Sequence, residues 1–372
     1  MSNEMAELYK NDLFYKKDNL TVSQSLERGN NNLDLVRIIA ALMVIFGHSF
    51  ALTLTPNMQE PFNYFFPFTY SGSIAVKVFF FISGLLVTNS IIKSKSISEF
   101  TVARFFRIYP AFAITIILTG IAIGPLAYNG GINDYINNPG VFNYISHSLF
   151  FDTQYFINGV FSGNRDGGSI NGSLWTIAIE VSAYAVVLAI FIFTGFKRKT
   201  TSNIILLSII IIPLTDINGL NFIVDRNSEA YLLPSCFALG SIFAINKKSI
   251  KLDFRIPVGF FIIYKTSYST DLSHFAFYAG ICTSLLYIST FKLIKSIRIK
   301  NDISYGIYLW GFPIQQLLSY YYKLDTVSLI IFSSIISIVV GYFSFVLIER
   351  PSMRLGKSIL NRLQLNKLES AS

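Results

Sequence analysis

The sequence predicts an all-α polytopic membrane protein, a helical bundle of about ten transmembrane helices with both termini in the cytoplasm. Of its 372 residues, 52% are hydrophobic and 14% are charged, whereas a soluble domain has about 25% charged residues. A soluble protein of this composition would leave too much apolar surface in water. In addition, the apolar residues form long runs and the basic residues cluster between them. Composition, run length and charge placement therefore all favour a membrane bundle.

Ten apolar segments are long enough, or nearly so, to cross about 30 Å of hydrocarbon as helices. They define a predicted membrane domain over residues 32–355. A polar tail over residues 1–31 is expected to be disordered and cytoplasmic, and residues 356–372 form a second cytoplasmic tail. The fifth, seventh and eighth segments are the weakest, because they are short or joined by polar positions. The ten segments are 33–54, 72–92, 106–127, 173–196, 202–217, 229–246, 254–270, 273–291, 303–322 and 327–349.

The positions of Lys and Arg predict the orientation. With the N-terminus inside, most of the 30 Lys and Arg residues fall in cytoplasmic tails and connections, as the positive-inside rule requires. The net charge of +9 therefore reflects membrane topology and not a nucleic-acid partner. Apart from Arg37, which begins the first helix, the basic residues left for the outer face or the membrane are Lys77, Arg165, Arg226, Lys265 and Lys323.

The two cysteines, Cys236 and Cys282, lie in separate apolar segments. They indicate neither a disulfide framework nor a metal site. No metal ion is therefore expected.

The first apolar segment carries an arginine near its start and a histidine near its end. Arg37 and His48 are eleven positions apart, which on an α-helix is about 1,100° of rotation and about 16 Å of rise, so both project from one face. Ionisable residues inside a membrane mark functional sites by default, and a neutral imidazole accepts protons at physiological pH. The alternative is a histidine that only hydrogen-bonds within the bundle.

Two arginines begin the third apolar helix. Arg104 and Arg107 stand at positions i and i+3 and share a helix face, where two guanidinium groups can hold phosphates. Ordinary positive-inside flanking or lipid headgroup contact explains the pair equally simply. On the arginines alone, the second explanation is favoured.

Glu180 lies seven residues into an apolar helix that begins near residue 173. At the predicted depth of His48, this carboxylate can orient the imidazole and make it more basic. A structural ion pair, for example with Lys77, is the alternative.

Residues 304–316, SYGIYLWGFPIQQ, combine small, polar and proline residues within one apolar segment. The glycines permit close helix approach, and Pro313 frees backbone within a span. Tyr305, Tyr308, Gln315 and Gln316 are polar groups able to line a cavity. The connection 128–172, on the predicted outer face, is either a lid or acceptor platform over such a cavity or a solvated connector.

Six sequence elements occur together in order: LDLVRIIAALMVIFGHSF, VFFFISGLL, ARFFRIYP, SLWTIAIE, SYGIYLWGFPI and IERP. Together they resemble the acyltransferase-3 family of integral membrane O-acyltransferases, which modify bacterial surface polysaccharides and other extracytoplasmic acceptors. The resemblance covers about residues 32–355. It implies a multi-pass protein of the bacterial cytoplasmic membrane that takes an acyl group, usually acetyl, from acetyl-coenzyme A and transfers it to a hydroxyl of a glycan such as exopolysaccharide, capsule or O-antigen.

The resemblance also assigns roles to residues. His48 would be the catalytic histidine and Arg37 its motif partner, and Arg104 and Arg107 would hold the phosphates of coenzyme A. Glu180 would support catalysis. Trp175, on the same site helix, would contact substrate. Tyr305, one of the polar groups able to line a cavity, is also expected to contact substrate, apart from the resemblance.

Two positions depart from the family pattern. Lys77 stands where many members have an acidic residue, and it would pair with Glu180 or bind an anionic acceptor. Gly311 stands where many have histidine, which removes a second imidazole. The chain ends soon after the tenth segment without an appended esterase-like domain, so a stand-alone transferase is expected.

Two other functions fit the same residues. A transporter or flippase would use Arg37, His48, Glu180 and Lys77 as a proton or anion pathway, and an inactive relative would serve as a membrane sensor.

Overall fold

A computed structural model describes residues 20–53, 55, 58–94, 96–215 and 229–369, with side chains described to residue 362. Within these ranges the protein is all-helical and contains no β-strand. In chain order the helices are α1 (Val22–Ser25), α2 (Leu33–Leu52), α3 (Pro61–Phe65), α4 (Ser71–Lys93), α5 (Ile97–Leu118), α6 (Gly124–Leu126), α7 (Ile132–Ile136), α8 (Pro139–Leu149), α9 (Trp175–Thr194), α10 (Lys199–Ile211), α11 (Leu233–Ile245), α12 (Arg255–Thr266), α13 (Thr270–Ile288), α14 (Lys292–Ser296), α15 (Ser304–Tyr322), α16 (Thr326–Ser344) and α17 (Arg350–Glu369).

A helix lies in each of the ten predicted segments. Five helical stretches are long and apolar enough to cross a membrane: Leu33–Leu52, Ser71–Lys93, Ile97–Leu126, Trp175–Thr194 and Thr326–Arg362. Two shorter apolar helices are Lys199–Leu214 and Leu233–Ile245. The helical fold class is thus confirmed, and the ten-span count and the sides of the termini stay predictions. Residues 54 and 216–217, at the ends of two predicted spans, lie outside the described residues, as does Arg226.

The described chain divides into two compact units. Unit 1 takes in the described parts of Met1–Ala40, Ser73–Ile92 and Ser182–Lys300. Unit 2 takes in those of Ala41–Gly72, Lys93–Val181 and Asn301–Ser372.

In unit 1, residues 20–31 are ordered, in contrast to the predicted disordered tail. Val22 is fully buried, and its N–H donates to the carbonyl of Ile250 (2.9 Å). Leu252 N–H in turn donates to the Leu20 carbonyl (2.8 Å), and Thr21 caps α1 through a reciprocal capping box with Gln24. This packing orders the segment because two apolar side chains are buried and their backbone groups are paired. Residues 1–19 lie outside the described residues.

Also in unit 1, α4 and α11 approach closely through small residues. A Cβ added at Gly84 would lie 2.0 Å from the Phe237 carbonyl oxygen, and one at Gly240 would lie 2.1 Å from that of Phe81. Thr88 donates to Ser241 across the same contact (2.9 Å). Close approach at small residues is therefore how the two helices pack.

In unit 2, the connection 128–172 folds into α7, α8 and ordered loops. Tyr144 is fully buried and its hydroxyl lies 2.7 Å from that of Thr119. The Tyr135 hydroxyl donates to the Gly120 carbonyl (2.5 Å), at the π-helical turn Thr119–Ile123 that follows α5. Burial raises the pKa of Tyr135 to about 12, so this hydroxyl stays a donor at physiological pH. The connection is thus a packed part of unit 2.

The end of the chain continues the last predicted span. A π-helical turn, Phe345–Glu349, joins α16 to α17, and Gly356 packs on the ring of Phe106 in α5. The predicted domain boundary at residue 355 therefore falls inside a helix. The glycine allows this contact, because an added Cβ would lie 2.8 Å from that ring.

Candidate functional site

His48 lies in the last third of α2 and is half-buried. Its ring meets the ring of Phe312 of α15 edge to face, with centroids 5.1 Å apart. Its Nδ1 is buried and makes no hydrogen bond within the described residues. The imidazole is thus positioned by an aromatic contact, and its Nδ1 is not used by any described residue.

The contact between α2 and α15 fixes this position. Gln315 donates its amide to the Ile45 carbonyl (2.8 Å) and to the Ser49 hydroxyl (2.7 Å), on both sides of His48 along α2. A Cβ added at Gly311 would lie 2.9 Å from Ile45 Cγ1. Gly311, which departs from the family pattern, is therefore the residue that lets α15 approach α2.

Proline in α15 creates a second fixed point. Pro313 lacks an N–H, which in a regular helix would bond to the carbonyl four residues earlier, that of Leu309. The side-chain amide of Asn171 donates to this carbonyl instead (3.0 Å). The freed backbone group predicted from the sequence is thus used to bind the loop that precedes α9.

The start of α9 is held against α15 by hydroxyl groups. Tyr308 donates to the Ser173 carbonyl (3.0 Å), and its hydroxyl lies 2.6 Å from that of Thr176. Trp175 opens α9 beside this pair and is half-buried. Glu180, one turn further along α9, interacts electrostatically with Tyr308. Among the described residues, the His48 ring donates no hydrogen bond to the Glu180 carboxylate, which was expected to orient it.

The other glutamine predicted to line a cavity is also a buried structural link. Gln316 is fully buried and donates to Asp166 Oδ2 (2.7 Å) and to the Ser169 carbonyl (2.5 Å). Asn164 donates back to its side-chain oxygen (2.7 Å). Gln315 and Gln316 therefore bind helix and loop to α15 through the N–H groups of their side-chain amides.

Arg107 of α5 binds two carboxylates. Its Nη1 donates to Glu349 Oε2 (2.5 Å) and its Nη2 to Asp302 Oδ2 (2.7 Å). The Glu349 side chain is 0% exposed and that of Asp302 is 15% exposed. Arg104 is half-buried one turn earlier on α5. Of the two predicted phosphate ligands, Arg107 thus has both terminal nitrogens engaged by acids.

Tyr305 links the start of α15 to α5. It is buried near the start of α15, and its hydroxyl donates to the Ile108 carbonyl beside Arg107 (3.1 Å). Phe312, seven residues later on α15, contacts His48, which is about 10 Å along a helix axis. Helix α15 therefore connects the arginine end of unit 2 to the histidine.

Lys77, in unit 1, has a carboxylate partner that the sequence analysis did not suggest. Its Nζ lies 3.5 Å from Glu229 Oε2, donates to the Ser73 hydroxyl (2.7 Å), and faces the Tyr278 ring at 5.0 Å. Lys77 is 4% exposed, so this partner compensates a buried charge. Arg37 also belongs to unit 1, at the other end of α2.

The structure thus places six of the eight predicted site residues in unit 2: His48, Arg104, Arg107, Trp175, Glu180 and Tyr305. Phe312, Asn171 and Asp302 were missed. Of these three, only Asp302 could have been identified from its sequence position. An acidic residue just before an apolar helix can cap that helix and can also pair with a nearby arginine.

The helical fold and its long apolar stretches are those of a multi-pass membrane protein. The family model described as "Acyltransferase domain" matches residues 30–348. The chain therefore belongs to the acyltransferase-3 family, as its sequence elements indicated.

Curated relatives agree with this membership. The "O-acetyl transferase" of Shigella phage Sf6 is 27% identical over 346 residues, covering 86% of this chain and 95% of that protein. The "Peptidoglycan O-acetyltransferase OatA" of Listeria monocytogenes is 24% identical over 67% of this chain and 46% of its own. "Nodulation protein 10" of Rhizobium leguminosarum is 32% identical over 41% of this chain and 42% of its own. No solved structure matches the chain significantly.

Proposed function

We propose that this protein transfers an acyl group, most simply acetyl, from acyl-coenzyme A in the cytoplasm to a hydroxyl of an extracytoplasmic glycan. Family membership supports acyl transfer, and two relatives named as O-acetyltransferases support acetyl as the acyl group. The peptidoglycan enzyme among them supports a glycan acceptor. The observation that carries the proposal is the position of His48. Its ring is half-buried against Phe312, and its Nδ1 makes no hydrogen bond within the described chain.

His48 acts as the general base. It removes the proton of the acceptor hydroxyl while the hydroxyl oxygen bonds to the thioester carbonyl carbon. The carbon–sulfur bond then breaks, and the imidazolium returns the proton to the leaving thiolate. Arg37 stabilises negative charge along the donor path or at the oxyanion. Direct transfer and a short-lived acyl-histidine are both compatible with this proton balance.

Arg104 is assigned the direct contact with the donor phosphates, because a guanidinium group binds phosphate in bidentate fashion. Arg107 already donates to Glu349 and Asp302, so it fixes the start of α5 and supports Arg104. Lys77 and Glu229 form a structural pair.

The remaining predicted residues lie around α9 and α15. Trp175 and Tyr305 contact substrate beside the Tyr308 and Thr176 hydroxyls. Glu180 supports catalysis from α9, four residues after Thr176.

Transfer of labelled acetyl from acetyl-coenzyme A tests the proposal, using the purified full chain in lipid with crude surface glycan from the source cells. We expect label in the glycan for the wild type and a loss of at least about 100-fold for His48→Ala, the range for a removed general base. Arg104→Ala should raise the KM for acetyl-coenzyme A. The matched control is His147→Ala, because His147 is an exposed histidine paired with Asp152 at 2.8 Å.

The proposal fails if folded wild-type protein, with its own glycan present, neither binds nor consumes the thioester. Transport would then become the leading function. Equal losses in His48→Ala and His147→Ala would also contradict the assignment of the base.

A further inference from the structure

Unit 2 contains a cavity of about 530 Å³ beyond the end of α2, a size within the range of small-molecule sites. Its walls come from three places: the end of α2, the loop at residues 163–165, and the end of α15 with the connection to α16. The residues that matter for its chemistry are Thr53, Thr55, Arg165, Ser319, Tyr320 and Lys323.

The cavity begins one helical turn from the proposed base. Leu52 lines it and follows His48 by four residues on α2, about 6 Å along the axis. Leu52 also packs in one buried cluster with Phe312, the residue whose ring contacts His48. A molecule in the cavity therefore lies next to the face of α2 that carries the imidazole.

Hydrogen bonds hold the cavity walls in place. Arg165 Nη1 donates to the carbonyls of Phe50 (3.3 Å) and Thr53, which ties the loop to the end of α2. The Thr326 hydroxyl lies 2.6 Å from that of Thr53 and 2.7 Å from that of Thr55. Such a frame is what a specific binding site needs and a loose crevice lacks.

The charges at the cavity mouth are unbalanced. Arg165 and Lys323 are exposed there, and neither forms an ion pair with a described carboxylate. Asp325, the acid among the lining residues, is used to cap α16, because its Oδ1 accepts from Ser328 N–H (3.1 Å). The predicted topology leaves few basic residues away from the cytoplasm, and two of those few meet at this cavity.

The remaining lining groups suit a sugar. Tyr320 presents a ring held in place by its hydroxyl, which donates to Asn129 Oδ1 (3.0 Å), and by the Phe161 ring at 5.8 Å. Ser319 contributes a buried hydroxyl that has no hydrogen-bond partner in the described chain. An aromatic face and an unused hydroxyl match the apolar and polar faces of a pyranose.

We propose that this cavity is the acceptor subsite and that it binds a glycan carrying a carboxylate close to the hydroxyl to be acylated. Arg165 and Lys323 recognise the anionic substituent, while Tyr320 and Ser319 contact the sugar. The assignment as an acceptor subsite rests on the proposed acyltransferase function, but the binding of an anionic glycan can be measured without it.

The test compares two forms of one glycan on the full chain in nanodiscs of phosphatidylcholine. One form is surface glycan extracted from the source cells, and the other is the same glycan after its carboxylates have been reduced to alcohols. Binding is the primary measurement, and the KM for acetyl transfer is the second. Wild type should bind the native form at least about five-fold more tightly, the effect of one or two partly solvated charge contacts.

Lys323→Asn should remove most of that preference. Lys323 has φ +45°, a left-handed conformation that asparagine tolerates well, so the backbone is kept. Lys323→Arg should retain the preference for the native glycan. Lys265→Asn removes the same charge in unit 1 and should leave that preference unchanged. Ser319→Ala should weaken both glycan forms equally, because a hydroxyl does not sense the carboxylate.

Three results would overturn the proposal. The wild type could bind the native and the carboxyl-reduced glycan equally, or Lys323→Asn could weaken both glycans equally. In the third, phosphatidylglycerol would displace the glycan. The last would show a lipid headgroup site. A wild type that transfers acetyl equally well to both forms would overturn this inference alone. A wild type that prefers the native glycan but transfers no acetyl would refute the acyltransferase function alone.

Discussion

Arg107 shows how single buried charges decide the local structure of unit 2. Its two terminal nitrogens bind Glu349 and Asp302. One guanidinium group therefore joins α5 to the residue just before α15 and to the π-helical turn that follows α16. Removing one member of a buried ion pair is costly, because it leaves an uncompensated charge. The two acids differ in exposure and therefore in expected cost.

Glu349→Gln should destabilise the protein by about 3 kcal/mol, and Asp302→Asn by clearly less, because the Glu349 side chain is 0% exposed and that of Asp302 is 15% exposed. Thermal unfolding in detergent would measure both. Asp253→Asn is the matched control, since Asp253 pairs with Arg255, whose side chain is 78% exposed. A larger loss for Asp302→Asn than for Glu349→Gln would contradict this account.

Sequence alone predicted that the intramembrane ionisable residues matter, but it did not predict their partners. The cost of burial shows that Lys77 and Arg107 need acids, yet Glu229 is 152 positions from Lys77 and Glu349 is 242 positions from Arg107. In the sequence, many Asp and Glu residues could be the partner, and only the packing of the helices selects one. Phe312 was missed for a similar reason, since an aromatic residue in an apolar helix carries no signal of its neighbour.

At the scale of helices, α15 illustrates what local sequence does predict. Its glycines and its proline indicated close approach and a freed carbonyl, and both occur. Its glutamines were expected to line a cavity, whereas they are fully buried links. Periodicity does not distinguish a polar group that faces water from one that faces a backbone carbonyl.

A double-mutant cycle can test the pairing of Asn171 with the carbonyl freed by Pro313. Asn171→Ala should cost about 1–3 kcal/mol, because it leaves the buried Leu309 carbonyl unsatisfied. In a Pro313→Ala background the cost should fall by at least half, since an alanine at this position supplies the missing helical N–H. Unfolding free energies of the four proteins would measure the coupling, and purely additive effects would exclude it.

Two glycines of α15 should differ in their tolerance of a methyl group. A Cβ at Gly306 would meet the backbone of Gly341 at 2.8 Å, whereas one at Gly311 would meet only the side chain of Ile45 at 2.9 Å. Because a side chain shifts more easily than backbone, Gly306→Ala should lower the melting temperature several degrees more than Gly311→Ala. Equal or reversed shifts would show that α15 does not pack on α16 as described.

For the molecule as a whole, the apolar runs predicted the helices, and they lie where expected. Membrane crossing is a different question, because it depends on length and hydropathy over a whole helix. Within the described ranges, five stretches meet both requirements clearly. Helices α12 and α13 are the decisive pair. They pack tightly, with Gly280 against the Phe261 ring and the Ser273 hydroxyl donating to the Tyr264 carbonyl (2.9 Å), so they cross together or not at all.

Thiol labelling of intact cells would decide the number of spans. Tyr268 lies between α12 and α13 and is fully exposed, and the ten-span topology places it outside. Cys236 and Cys282 are buried, so they should give little background. A membrane-impermeant maleimide should label Tyr268→Cys and Asn133→Cys in intact cells, and Lys197→Cys only after permeabilisation. If Tyr268→Cys instead behaves like Lys197→Cys, then α12 and α13 do not cross, and the count falls to eight spans with the orientation of every other helix unchanged.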